Sequence, residues 1–158
     1  MRHQIAYASP ITQVDTTRVY PLGDVREEYN STYNQWQLWT YVFNDEAATA
    51  FAQGDIVAHD TTTATPGDAI LAPLSCPTTR VIGVAQHAIA AGSYGWVLSR
   101  GIGEVLADTG GITADTNLVV GNAVTGRADD AAATAHGFAY SHEAALATAL
   151  ATCSIKCI

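Results

Sequence analysis

The sequence predicts an all-β fold, a small β-barrel or sandwich of short antiparallel strands preceded by an extended N-terminal arm. Apolar and β-branched residues come in short runs, and turn residues separate these runs along most of the chain. Many of the 13 glycines lie where one run ends and the next begins. Short strands joined by turns about every 8–12 residues are typical of sandwiches and barrels.

The firmest predicted strand is 36–43, WQLWTYVF, because aromatic and β-branched residues dominate it. A Gly-Asp turn opens the next strand, at 54–60. Residues 61–79 contain three prolines, which favour a loop there. Residues 126–137 are also predicted to form a loop. Further strands are predicted at 80–89, 94–100, 104–107, 117–125, 137–142 and 153–158.

Residues 1–35 show no sustained period of two or of 3.6. They contain two prolines and four tyrosines among scattered charges. Such a segment has too little apolar content to fold alone, so we expect it to become ordered against another surface. The predicted organisation is therefore an arm at 1–35 and a β-barrel domain at 36–158.

Two features of the C-terminal third leave alternatives open. Residues 143–151 have a helical composition, with Leu146 and Leu150 four apart, but the segment is shorter than the ~12–15 residues of a stable isolated helix. Both a short helix and a turn are open there. Residues 81–101 and 135–157 also echo one another, which predicts two similar hairpins with Ala-rich connections inside one barrel.

Charge and composition narrow the function. The chain has 158 residues, one domain's length, with 7 Lys+Arg against 15 Asp+Glu and a net charge of −8. Nucleic acids and anionic membranes attract clustered cations, so neither is an expected partner. No apolar run reaches the ~18 residues of a membrane-spanning helix, and the N-terminus lacks the apolar core of a secretory signal. Only 14% of residues are charged, against about 25% in ordinary soluble chains, which favours a subunit covered by neighbours.

No motif in the sequence predicts catalysis, a metal or a cofactor. The five histidines and three cysteines form no H-x-H, HExxH or CxxC pattern. On a strand, Cys153 and Cys157 would be about 13 Å apart, too far for one zinc or a disulfide, so we predict apolar core residues. Two alternatives stay open: calcium at Asp129–Asp130 or at Asp55–Asp60, and a hydrolase in which a histidine and an aspartate meet.

Four aromatic residues cluster in the first predicted strand. Alternation places Trp39, Tyr41 and Phe43 on one face and Trp36 with Leu38 on the other. One face is expected to supply the barrel core. Since both faces carry large apolar groups, the other is predicted to contact a partner, with sugar stacking on the tryptophans as the rival use.

Seven stretches, taken in order, resemble the capsid decoration, or cement, proteins of tailed bacteriophages. They are PLGDVREEYN, WQLWTYVF, QGDIVAH, RVIGVAQHAIAAGSYGWVLSRGIGEVLA, NLVVGNAVTG, GFAY and CSIKCI, and together they span about residues 20–158. The resemblance implies a small β-barrel without enzymatic activity that binds the outside of the head shell, often as a trimer. The long arm and the Ala-rich stretch at 143–152 depart from the family pattern.

We therefore expect a non-enzymatic virion protein, made in the host cytoplasm and bound on the outer capsid surface. Its expected partners are the major capsid protein and copies of itself. A carbohydrate-binding or head-fibre-base module for host attachment is the alternative. Arginine and aromatic residues supply much of the energy of protein interfaces. The predicted interface residues, all in or next to the arm, are Arg18, Tyr20, Arg26, Tyr29, Tyr33 and Trp36.

Overall fold

The strands of this protein form one continuous, mostly antiparallel sheet. The computed structural model describes residues 9–63, 65–132 and 135–157. Within those ranges the strands occur in the order β1-β2-β4-β3-β5-β6-β10-β9-β7-β8, and β2 also pairs with β6. The strands are β1 Val25–Asn30, β2 Gln35–Asn44, β3 Ile56–His59, β4 Asp68–Leu71, β5 Val81–Val84, β6 Tyr94–Leu106, β7 Asn117–Val120, β8 Ala128–Asp130, β9 Ala139–Ser141 and β10 Leu150–Lys156.

Two small barrels share strand β6. In the first, β2 pairs with both β6 and β4, and β3 and β5 complete the ring. In the second, β6 pairs with β10, then β9, β7 and β8 follow, and a parallel bridge from Ala107 to Ala128 closes the ring. The predicted all-β barrel architecture is confirmed, although one barrel was expected and the chain forms two fused ones.

The two barrels are built from the same turn, used four times. In each copy, the third residue after the bridge residue has a positive φ, and a strand begins at the fifth residue after the bridge residue. Phe51 and Ile89 exchange two backbone hydrogen bonds of 2.9 and 3.0 Å, and Ile112 and Ala145 exchange two of 2.8 and 2.9 Å. The two hairpins predicted to echo one another thus share this turn, but they lie in different barrels rather than inside the single barrel that was predicted. The positive-φ residues are Gly54, Gly92, Asp115 and Thr148.

Strand β6 passes from one barrel to the other through a β-bulge. Trp39 pairs with Leu98 and Leu38 with Arg100, which leaves Ser99 as the extra residue. A bulge shifts the alternation of side chains by one position. Trp96 and Leu98 before the bulge therefore lie in the same buried cluster as Val105 after it.

The first barrel encloses a buried cluster of its own, separate from the one that contains Trp96 and Val105. That cluster comprises Val42, Phe51, Val57, Ala69, Ile82, Ala85, Ile89 and Val97. The opposite side of β2 carries Trp39 and Tyr41, which are also buried. Strand β2 is therefore apolar on both faces, as the sequence predicted, and each face packs within the chain for part of its length.

Residues 9–30 cover the aromatic side of the first barrel. Tyr20 packs its ring against Tyr41 and Trp96, with centroids 5.2 and 5.4 Å apart. Asp15 forms an antiparallel bridge with Tyr94, and β1 pairs with β2 along its whole length. These contacts do not match the predicted boundary at residue 36, because the described part of the predicted arm packs on the first barrel of the same chain. Residues 1–8 of the arm lie outside the described residues.

Residues 143–149 form a turn, so the helix considered for residues 143–151 does not form. Ala145 bridges Ile112, and Thr148 has a φ of 60°, which no α-helix accommodates. Two short strands, β4 and β8, lie inside stretches predicted as loops, and the predicted strands 94–100 and 104–107 are the single strand β6.

Candidate docking surface

The exposed side of the sheet around the β1–β2 hairpin is the candidate functional site. Tyr29 pairs directly with Trp36 across the hairpin, and their rings meet edge to face at 5.6 Å. The Trp36 side chain is 66% exposed and that of Tyr29 is 48% exposed. Large exposed aromatic groups are unusual on a free surface and mark interaction sites.

Strands β6 and β10 extend this surface. Leu38 pairs with Arg100, and Ile102 pairs with Ser154. Residues two apart on a strand share a face, as do residues directly paired across strands. We therefore define the open face as the side chains of Tyr29, Trp36, Leu38, Ile102 and Ser154.

Polar groups border the open face on its β10 side. The Glu104 carboxylate accepts hydrogen bonds from the Tyr33 hydroxyl at 3.1 Å and from the Thr152 hydroxyl at 3.3 Å. Partial burial, followed by this bond to Glu104, raises the pKa of Tyr33. His142 Nε2 lies 2.7 Å from Ser154 Oγ. These contacts fix the orientation of the polar side chains beside the aromatic pair.

The repeat explains why this face is open. When the turn that follows Ile89 is aligned with the turn that follows Ala145, Thr152 and Ser154 correspond to Trp96 and Leu98. On the outer side of the first barrel these groups are large and apolar, and residues 9–30 cover them. The second barrel has small polar groups at the same places, which water solvates without such a cover.

Three of the predicted interface residues, Tyr29, Tyr33 and Trp36, lie on the open face or at its border. The Tyr29 hydroxyl also donates to the Asn34 side chain, and Asn34 has the positive φ of the hairpin turn. Arg18 lies elsewhere: it is exposed beside a surface groove that Pro21 and Pro66 also line.

The other two predicted residues, Tyr20 and Arg26, contact their own chain. The Arg26 guanidinium carbon lies 5.9 Å from the centre of the Trp96 ring, and Arg26 Nη1 donates to the Ser9 carbonyl at 2.6 Å. The Tyr20 hydroxyl is 2.8 Å from Ser9 Oγ. Since these contacts hold residues 9–30 on the first barrel, we keep only Tyr29, Tyr33 and Trp36 as candidate docking residues. Sequence reasoning missed Ile102 and Ser154, although alternation along CSIKCI already places Ser154 opposite the buried Cys153.

No three His, Cys, Asp or Glu side chains within residues 9–63, 65–132 and 135–157 are grouped so as to hold a metal ion. Cys76 and Cys153 are buried, as the sequence predicted for Cys153, and Cys157 is partly buried. In the same described part of the chain, no helix has the length and apolarity to cross a membrane.

The geometry defines an all-β structural module of two fused barrels with an open aromatic face. A solved structure with a similar fold is the N base of head fiber gp8.5 in bacteriophage phi29, with a TM-score of 0.53 and 17% sequence identity. The alignment covers 75% of this chain and 93% of that chain. No family model matches the sequence, and no curated protein matches it. The similarity at this level of identity is one of fold.

Proposed function

We propose that this chain is a non-enzymatic structural subunit of a tailed-phage head, bound to the outside of the capsid shell as a decoration protein. The fold it shares with a phage head-fiber base carries the proposal. The sequence resemblance to capsid decoration proteins supports it independently. The net charge of −8 suits an outer surface better than an interior filled with DNA.

Binding alone suffices for such a role. A protein that binds only the assembled shell stabilises it by RT ln(1 + [L]/Kd) at each site. Because a shell repeats the same site many times, modest contacts at each copy add up over the lattice. We propose that the major capsid protein supplies this site and that the subunit docks as a trimer or another homo-oligomer.

The open face is the docking surface in this proposal. Trp36 and Tyr29 would be its central contacts, because buried aromatic groups contribute most of the energy at interfaces. Trp36→Ala should leave the fold intact, since the side chain is 66% exposed. It should weaken binding to heads about tenfold or more.

The test uses heads purified from a phage strain that lacks the gene for this chain. Purified protein is added at increasing concentration, and the bound fraction is measured by sedimentation of the heads. Saturable binding that Trp36→Ala weakens and Leu74→Ala leaves unchanged is expected, since Leu74 is an exposed leucine outside the open face. Absence of binding by the unaltered protein would refute the proposal.

A head-fiber base that attaches the particle to host glycans is the second candidate. The similar solved structure is a head fiber N base, and an exposed tryptophan offers a flat surface on which a sugar ring can stack. Glycan-array binding that is lost in Trp36→Ala, together with unchanged binding to heads, would favour this candidate over decoration.

A further inference from the structure

The corresponding strands of the two barrels differ at their first residue. In the first barrel, β6 begins at Tyr94, whose N–H donates to the Asp15 carbonyl at 2.8 Å and whose carbonyl accepts from the Asp15 N–H at 2.9 Å. In the second barrel, β10 begins at Leu150, which holds the same place after the same turn. An extended segment of this chain therefore occupies one of two equivalent edges.

The equivalent edge at Leu150 is open. Ala107 N–H donates to the Ala149 carbonyl, so the next pair, Leu150 with Leu106, is one that does not exchange hydrogen bonds. The N–H and C=O of Leu150 therefore point away from β6. Strand β9 joins β10 only from Cys153 onward, and no backbone group in the described parts of the chain bridges Leu150 on that side.

Apolar side chains surround this open edge. Leu146 is 85% exposed and Leu150 is 39% exposed, although leucine is ordinarily among the most buried residues. The counterpart of Leu146 in the first barrel is Ala90, so the second barrel carries the larger apolar group at a place that no described residue covers. Leu106 is only partly buried beside them.

We propose that the edge at Leu150, with Leu146 and Leu106, is a docking site for an extended segment of the capsid protein, which adds a strand to β10. The identity of this partner rests on the proposed function. The occupant's conformation follows from the first barrel, where residues on either side of Asp15 run antiparallel to β6 and place Ile11 and Val14 against the buried clusters.

Charge restricts the occupant further. Glu143 accepts a hydrogen bond from the Thr152 N–H at 2.8 Å, beside the open position, and Glu104 lies on the same strand face as Leu106. A second copy of this chain would bring the same acidic groups into contact. An extended segment with β-branched residues and a nearby lysine or arginine fits the edge better.

The site is continuous with the docking surface proposed above. Leu106 lies four positions after Ile102 on β6, and Leu150 lies four positions before Ser154 on β10. Residues an even number of positions apart share a strand face, so all four side chains lie on the same side of the sheet. A partner that contacts the open face can therefore reach the edge without a change in this fold.

Hydrogen exchange tests the proposal on the full-length protein, free and bound to heads from the deletion strain. In the free protein, the Leu150 amide should exchange rapidly and the Tyr94 amide slowly. On heads, the Leu150 amide should become protected at least about tenfold, while the Tyr94 amide stays unchanged. A Leu150 amide that is protected in the free protein, or that exchanges equally fast on heads, would overturn the proposal.

A substitution gives the second readout. Leu146→Asp should weaken head binding about tenfold or more, since it places a charge in the apolar contact and should not affect folding at 85% exposure. Leu74→Asp, at a 49% exposed leucine elsewhere, should bind as the unaltered protein does. If unaltered protein binds and Leu146→Asp binds equally well, the docking edge is refuted while the proposed function stands. If the unaltered protein does not bind, the proposed function itself fails.

Discussion

The Tyr41 hydroxyl donates a 2.9 Å hydrogen bond to the Asp15 carboxylate, and both side chains are buried. The two residues are 26 positions apart, and this bond joins the N-terminal segment to the centre of β2. Burial, together with the bond to Asp15, raises the pKa of Tyr41. The pair therefore acts as a polar anchor within an otherwise aromatic contact.

We predict that Asp15→Ala lowers the free energy of unfolding by about 1–3 kcal/mol, because it removes the acceptor for a buried hydroxyl. Tyr41→Phe in the Asp15→Ala background should cost less than Tyr41→Phe alone, since the bond is already lost. Urea denaturation of the four proteins measures this coupling. Glu27→Ala, on the exposed side of β1, should stay within about 0.5 kcal/mol of the parent. Additive effects at residues 15 and 41 would show that the bond contributes nothing.

The sequence did not predict where residues 9–30 pack, for two reasons. Their contacts join residues far apart in the chain, and in β1 the apolar residues face solvent while a charged residue faces inward. In β1 the apolar Val25 and Tyr29 face solvent, while Arg26 turns inward over the Trp96 ring. Alternation alone would assign the opposite faces. The partner that makes an inward arginine favourable lies 70 residues away in the chain, and a local reading does not reveal it.

The repeat was recognisable only in part for a similar reason. The hairpins at 81–101 and 135–157 each contain a Gly-apolar-Ala motif (GVA at 83–85, GFA at 137–139) followed by an Ala-rich connection, so an echo was visible in the sequence. The other halves, which begin at Phe51 and at Ile112, share a backbone path but few side chains: a left-handed turn needs Gly54 in one and accepts Asp115 in the other. The all-β class and most strand positions followed from composition, but β1, β4 and β8 did not, and the number of barrels depended on these divergent halves.

The Gly54 turn gives a prediction with an internal control. Gly54 has a φ of 86°, and a Cβ there would lie 2.8 Å from the Leu106 backbone nitrogen. Gly92 occupies the matching turn, with a φ of 70° and nothing within 4 Å of such a Cβ. Gly92→Ala should cost about 1 kcal/mol from backbone strain alone, and Gly54→Ala about 1–3 kcal/mol more. Equal losses in thermal or urea unfolding would contradict the close approach between the two barrels.

The charge of the Asp108 carboxylate is expected to make the stability of the second barrel depend on pH. Burial alone would raise its pKa, but the backbone N–H groups of Ala123, Thr109 and Val124 outweigh burial and hold the pKa below its usual range. A lowered folded-state pKa contributes stability that is present above the unfolded-state pKa and is lost as pH falls through the folded-state pKa. Asp108→Asn should therefore destabilise by about 1–3 kcal/mol at neutral pH, and the difference from the parent should shrink in acid.

Unfolding free energies of the parent and of Asp108→Asn, measured between neutral pH and about pH 3, test this dependence. Asp115→Asn is the matched control, because Asp115 lies on a nearby turn where its contact with the Tyr140 hydroxyl is long, at 3.4 Å. A difference between parent and Asp108→Asn that stays constant with pH would mean that the carboxylate charge has no part in holding the loop.

Thiol reactivity tests the burial of the C-terminal strand. Burial raises the pKa of Cys153 and of Cys157 from 9.0 to about 12, so the thiolate fraction of each is about a thousandfold lower than in the unfolded chain at the same pH. Iodoacetamide at pH 8 should therefore label neither residue in the native protein within the time that labels both in urea, as read by mass spectrometry of peptides. Leu146→Asp should leave this protection unchanged, because its side chain points into solvent. Rapid native labelling of Cys153 would mean that β10 opens readily, and a strand that opens in the free protein could not present a preformed edge at Leu150.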